Sequence, residues 1–202
     1  MGDPTKFQYL YEYYAFNVSL LLLVISEIVI YVYTNFRHQN GKSLRRDFGT
    51  KWLLYINFVL CIMVSFLCVS HRAPYIISKV LLPQLFTEIG IAFIIGGICI
   101  RIGAVLTLKK AFTLNVQIGK EQHLVTNGMY RVIRHPAYTG SICSLIGISL
   151  ALRNIIAVVI VLICCLISYS IRIYVEEKAL QVNFGEYQSY KEHTYKMFPY
   201  IY

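Results

Sequence analysis

Five stretches of the chain are nearly unbroken runs of apolar residues, at positions 15–33, 52–69, 89–108, 136–152 and 155–174. A helix needs about 20 such residues to cross a hydrocarbon core about 30 Å thick, so each run predicts a membrane-spanning helix. Together they hold three charged side chains, Glu27, Arg101 and Arg172. The expected fold class is an all-α integral membrane protein of five transmembrane helices, with one membrane domain over residues 1–202. Only Arg153 and Asn154 separate the fourth run from the fifth, which makes these two a tight hairpin of antiparallel neighbours. Gly140, Ser144 and Gly147 recur at three- and four-residue intervals, a face on which another helix can approach closely. Gly96 and Gly103, two turns apart, predict a second close contact. The first run is read as a retained helix, because only Lys6 supplies positive charge before it and no small-residue cleavage site follows.

Composition agrees that water is not the main solvent: 57% of the 202 residues are hydrophobic and 14% are charged. An average soluble domain has about 25% charged residues. The net charge of +9 is unevenly spread. With the N-terminus outside, thirteen of the nineteen Lys and Arg residues fall on the cytoplasmic side, as basic residues do in membrane proteins. Anionic lipid headgroups account for that charge, so it does not point to nucleic acid. All six cysteines lie inside predicted spans with no ligand spacing, and neither a metal site nor a disulfide framework is implied.

The polar residues concentrate in segments 117–140 and 172–199, which bracket the hairpin and should meet at one cytoplasmic mouth. In Arg134-His135-Pro136-Ala137-Tyr138-Thr139-Gly140, proline suits the first helical position and disfavours helix before it. The fourth span should therefore begin at Pro136, with His135 flanking. Its free backbone donors beside Arg134 form either an anion subsite or a basic membrane anchor. Arg172 and Glu176 share a helical face, either as an ion pair at the membrane edge or as complementary binding groups for a carboxylate and an ammonium. Glu27 and Arg101, away from this cluster, are assigned to interhelical polar contacts. There is no glycine-rich dinucleotide fingerprint, phosphate-binding loop or His-Glu-x-x-His helix.

Taken in order, Gln117, the segment His123 to Tyr130, Arg134 to Gly140, Arg172-x-x-x-Glu176-Glu177 and Phe184-Gly185-Glu186-Tyr187-x-x-Tyr190 resemble the isoprenylcysteine carboxyl methyltransferase family. With five spans the chain is similar to the short prokaryotic form of that family. The resemblance implies a methyltransferase that uses S-adenosylmethionine, releases S-adenosylhomocysteine and methylates the carboxylate of an isoprenylcysteine-like or other lipophilic substrate. By motif position it implies a cofactor set of Gln117, His123, Leu124, Val125, Tyr130, His135, Pro136, Ala137, Tyr138 and Glu176, to which local physics adds Arg134. It implies that Arg172 orients the substrate carboxylate. The aromatic composition of the tail from Tyr187 to Tyr202 suits a lid over the mouth, an interfacial anchor or both. A phospholipid N-methyltransferase is the nearest alternative, since it looks similar around Arg134-His135-Pro136. The closing Phe198-Pro199-Tyr200-Ile201-Tyr202 looks like the end of NADPH-dependent sterol-type reductases.

Overall fold

In the computed structural model, which describes residues 7–37, 44–45, 49–71, 73–108, 117–118 and 124–199, the five apolar runs all become helices. They are α1 (Leu10–Arg37), α2 (Thr50–Val69), α4 (Leu85–Leu108), α5 (Pro136–Ala151) and α6 (Ile155–Asn183), with short helices α3 (Tyr75–Lys79) and α7 (Tyr187–Glu192) between and after them. Four of them, α1, α2, α4 and α6, are long and apolar enough to cross a membrane. The fifth, α5, has 16 residues, or about 24 Å of rise, which falls short of a full hydrocarbon core. It is also the most enclosed helix, with Ile142, Leu145 and Ile148 almost fully buried at the centre of the core. Four long helices thus surround a shorter inner one. Two residues of β1 (Leu44–Arg45) pair antiparallel with β2 (Gln117–Ile118), a small exception to the all-α expectation.

The closest helix crossing lies between α4 and α5, and glycine makes it possible. A Cβ on Gly140 would sit 2.6 Å from the Gly97 carbonyl oxygen, and one on Gly147 would sit 2.7 Å from that of Gly90. Gly140 and Gly147 are the face expected from sequence. On α4, however, the partners are Gly90 and Gly97. Nothing lies within 4 Å of a Cβ on Gly96, and the nearest neighbour at Gly103 is the Met129 side chain at 3.0 Å. The expected Gly96–Gly103 contact is thus corrected to a Gly90–Gly97 contact on an adjacent face.

Three residues, 152–154, connect α5 to α6. Arg153 takes a left-handed backbone (φ 62°), and the Asn154 side chain caps α6 by accepting from Ala157 N at 2.9 Å. Arg153 also donates to Leu82 O at 2.8 Å and to Gln84, while Gln84 donates to Glu12 at 2.6 Å. That end of the bundle is tied shut by side chains. The polar cluster lies at the other end, where α6 continues as helix nine residues past the predicted end of its apolar run at Tyr174.

Candidate active site

Pro136 opens α5 with His135 as its flanking N-cap, as the sequence predicts. What shapes the site is the chain returning from α7. Residues 194–197 lie along the loop before α5: Tyr195 N donates to Val132 O at 3.0 Å, Arg134 N to Tyr195 O at 2.9 Å and His135 N to Lys196 O at 3.1 Å. Thr139 Oγ1 donates to Met197 O at 2.8 Å, and the Met197 side chain is buried in the core. This part of the tail is docked structure, whichever role it serves toward a ligand.

The Arg134 guanidinium is committed to that docking. It donates to Glu177 Oε1 at 2.9 Å, to Lys191 O at 3.0 Å, and to the carbonyl and hydroxyl of Thr194. Glu177 also meets His135 Nε2 at 3.2 Å and Lys191 Nζ at 3.6 Å, so this carboxylate, named in the sequence motif but given no role there, is the hub of the cluster. Its place in the Arg172-x-x-x-Glu176-Glu177 motif was its sequence signal. The His135 ring also stacks on the Tyr138 ring, with 5.5 Å between centroids and 10° between planes.

Tyr138 joins the remaining polar residues. Its hydroxyl donates to Glu176 Oε2 at 2.6 Å and accepts from Arg172 Nε at 3.1 Å. Arg172 Nη1 in turn donates to Thr50 Oγ1 at 2.5 Å, so the first residue of α2 enters the network as well. Arg172 and Glu176 are thus bridged through a phenol. Arg172 is 2% exposed, whereas the Glu176 side chain is 30% exposed. The carboxylate has access to a ligand, while the arginine is held in place from two sides.

Tyr130 is buried against Ala104 and Ala137, and its carbonyl accepts from Tyr190 OH at 2.7 Å. Burial raises the phenols of Tyr130, Tyr187 and Tyr190 above the ordinary tyrosine range, Tyr190 to about 12, so all three are neutral near pH 7. Tyr187 OH is buried and has no hydrogen-bond partner among the described residues. Leu124 and Val125 are half-buried in the segment leading to a 3₁₀ turn at Gly128–Arg131. Gln117 is described as backbone alone, paired with Arg45, and His123 lies outside the described residues, as do Tyr200, Ile201 and Tyr202. The structure therefore gathers Tyr130, Arg134, His135, Pro136, Ala137, Tyr138, Arg172 and Glu176 at one end of α5. It adds Thr50, Glu177 and Tyr187.

Known proteins share this arrangement of sequence. Residues 90–182 match the isoprenylcysteine carboxyl methyltransferase (ICMT) family. The probable protein-S-isoprenylcysteine O-methyltransferase of Oryza sativa subsp. indica is 32% identical over 157 residues, covering 76% of this chain and 81% of the rice protein. The chain belongs to the isoprenylcysteine carboxyl methyltransferase family. It is an integral, multi-pass membrane protein and a methyltransferase. The family's protein-S-isoprenylcysteine O-methyltransferase from Saccharomyces cerevisiae is 30% identical over 194 residues, 92% of this chain and 80% of the yeast protein. Among solved structures, the eukaryotic intramembrane Ras methyltransferase ICMT has a TM-score of 0.60 and 27% identity, over 73% of this chain. The chain spans 53% of that larger family member. Membership sets aside the NADPH-dependent reductase alternative.

Proposed function

We propose that the chain transfers a methyl group from S-adenosylmethionine to the carboxylate of an isoprenylcysteine-like lipid at the cytoplasmic end of α5, with its N-terminus on the opposite side. The observation that carries this reading is the bridge Arg172–Tyr138–Glu176, which holds a cation and a partly exposed carboxylate on either side of one phenol.

The residues present suit S-adenosylmethionine. Its ammonium matches Glu176, its positive sulfonium matches the aromatic faces of Tyr138 and His135, and the orphaned Tyr187 hydroxyl offers one donor and one acceptor inside the same cluster. Gln117, His123, Leu124 and Val125 complete the cofactor set by motif position. Pro136 and Ala137, at the start of α5, would hold the cofactor by motif position. Arg134 serves the set indirectly, by fastening the tail and Glu177 around it. When bound, the cofactor supplies an already activated methyl group.

The protein's own contribution is then mostly positional. A carboxylate is ionised near pH 7, so the nucleophile needs no general base. Arg172, with Nε on Tyr138 and Nη1 on Thr50, presents its guanidinium in a set plane to orient that carboxylate. Holding the reacting groups in line supplies several kcal/mol, up to about 7–11 kcal/mol for well-oriented systems. Met197 and the docked tail exclude water on one side. A phospholipid amine acceptor suits this arrangement less well, because it must lose a proton and would meet the like charge of Arg172.

The test is calorimetric binding of S-adenosylmethionine, S-adenosylhomocysteine and NADPH to the detergent-purified chain, followed by radiolabelled methyl transfer to paired acceptors. Binding of both adenosyl ligands, with label on a prenylcysteine carboxylate, supports the reading. Label appearing only on an amine headgroup overturns it.

A further inference from the structure

Thr50 lies outside the segment 90–182 that matches the family, yet helix packing delivers it to Arg172. α2 rests on α6, and their register can be read at two points. Asn57 Nδ2 donates to Cys165 Sγ at 3.9 Å, and Arg172 Nη1 donates to Thr50 Oγ1 at 2.5 Å. Thr50 is seven residues before Asn57, and Arg172 is seven after Cys165, which is about two turns along each helix in opposite directions. One antiparallel packing therefore sets both contacts. Thr50 is buried and begins α2, with Trp52 N donating to Gly49 O at 3.0 Å in the first turn. Its β-branched side chain has few χ1 choices, so its hydroxyl is a stiff anchor.

What that anchor does follows from the spacing on α6. Arg172 and Glu176 are one turn apart, the i and i+4 separation at which opposite charges pair directly. Their contact runs through the Tyr138 hydroxyl, which accepts from Arg172 Nε at 3.1 Å and donates to Glu176 Oε2 at 2.6 Å. This geometry requires the guanidinium to keep its plane, with Nε turned to α5 and Nη1 turned to α2. Without the Thr50 hydroxyl, Nη1 loses an acceptor in a buried place, where an unmet donor is costly, and the Glu176 carboxylate is within reach to replace it. Such a closure neutralises both groups. It takes the cation from the acceptor carboxylate and the carboxylate from the ammonium of the cofactor.

We propose that Thr50 is a positioning residue that keeps Arg172 from closing onto Glu176, so that the two charges stay apart for their two ligands. The inference rests on the methyltransferase reading above and adds to it a determinant on α2.

The test is a double-mutant cycle read by calorimetric binding of S-adenosylmethionine to the detergent-purified full chain, with single-turnover methyl transfer to a prenylcysteine analogue measured beside it. Thr50→Val keeps the branched shape and replaces the hydroxyl with a methyl. It is expected to weaken cofactor affinity about fivefold and to slow transfer at saturating acceptor about tenfold, the scale of one charge-assisted hydrogen bond. Thr50→Ser restores the hydroxyl and should bring both values back to within about twofold of the unaltered chain. In an Arg172→Ala background, Thr50→Val should change cofactor affinity by less than about twofold, because no guanidinium remains to close onto Glu176. Thr50→Ala carries the same cycle if Thr50→Val does not fold. A structural role alone would weaken binding equally in both backgrounds. That result, or a Thr50→Val chain that binds and reacts like the unaltered one, overturns the proposal. An unaltered chain that follows the binding cycle yet labels no carboxylate counts against the proposed acceptor alone, whereas one that binds no S-adenosylmethionine overturns both.

Discussion

Arg134 Nε donates to Glu177 Oε1 at 2.9 Å, a buried ion pair that fastens the loop before α5 to the end of α6. The two side chains are 7% and 9% exposed, so removing Arg134 leaves the buried Glu177 carboxylate with only His135 Nε2 at 3.2 Å and the more exposed Lys191 Nζ at 3.6 Å to compensate it. Arg134→Met is expected to destabilise the protein by about 3–5 kcal/mol, as for other broken buried pairs. It should also release the tail, read as a lower melting temperature in detergent and new protease cleavage after residue 187. Adding Glu177→Leu to Arg134→Met should recover much of the melting temperature, and a double variant no more stable than the single one would sink the pairing argument.

Arg172, Tyr138 and Glu176 divide the work differently from one another. Arg172→Ala should abolish turnover and leave S-adenosylmethionine affinity within a few-fold, while Glu176→Gln should weaken that affinity about tenfold, the scale of one lost charge-assisted hydrogen bond. Tyr138→Phe keeps the ring stacked on His135 but removes the bridge, so turnover should fall at least tenfold with the melting temperature nearly unchanged. Calorimetry and single-turnover assays separate these cases. Equal loss of affinity and rate in Arg172→Ala would move that residue into the cofactor set.

Neighbouring glycines of α4 should respond in opposite ways. A Cβ at position 97 would lie 2.7 Å from Ser144 N, and closer still to Gly140 O, so Gly97→Ala must force α4 and α5 apart. Gly96→Ala meets nothing within 4 Å and should be neutral or slightly stabilising, given the helix propensity of alanine. Thermal unfolding of the two purified variants decides the matter. A Gly97→Ala variant as stable as the parent would contradict the crossing described above.

Tyr190 links tail docking to alkaline pH. Its phenol is pushed up to about 12, chiefly by burial, and donates to Tyr130 O at 2.7 Å. The native value lies above the unfolded value near 10, so the protonated form's contribution is complete below about pH 10 and is lost as pH rises through 12. Protease susceptibility of the tail should be flat up to about pH 10 and climb beyond it. In Tyr190→Phe that part of the climb should disappear, which separates it from lysine deprotonation in the same range.

Much of the architecture was legible in the sequence because a backbone in hydrocarbon must satisfy its own hydrogen bonds, so long apolar runs have to be helices. The start of α5 at Pro136 was legible too, since proline's fixed φ and missing N–H act locally. The motif residues around Arg134-His135-Pro136 and Arg172 to Glu177 were gathered as expected, because they sit at the adjoining ends of one helical hairpin. Rotation of a helix about its own axis was not legible: α4 is apolar on nearly every side, so its pattern gives no reference direction, and only the fit against α5 selected Gly97 over Gly96. Partners distant in sequence were equally hidden. Thr50 meets Arg172 across 122 positions and Glu27 meets Arg101 across 74, because the folded bundle, not the spacing along the chain, sets which polar groups escape the lipid together.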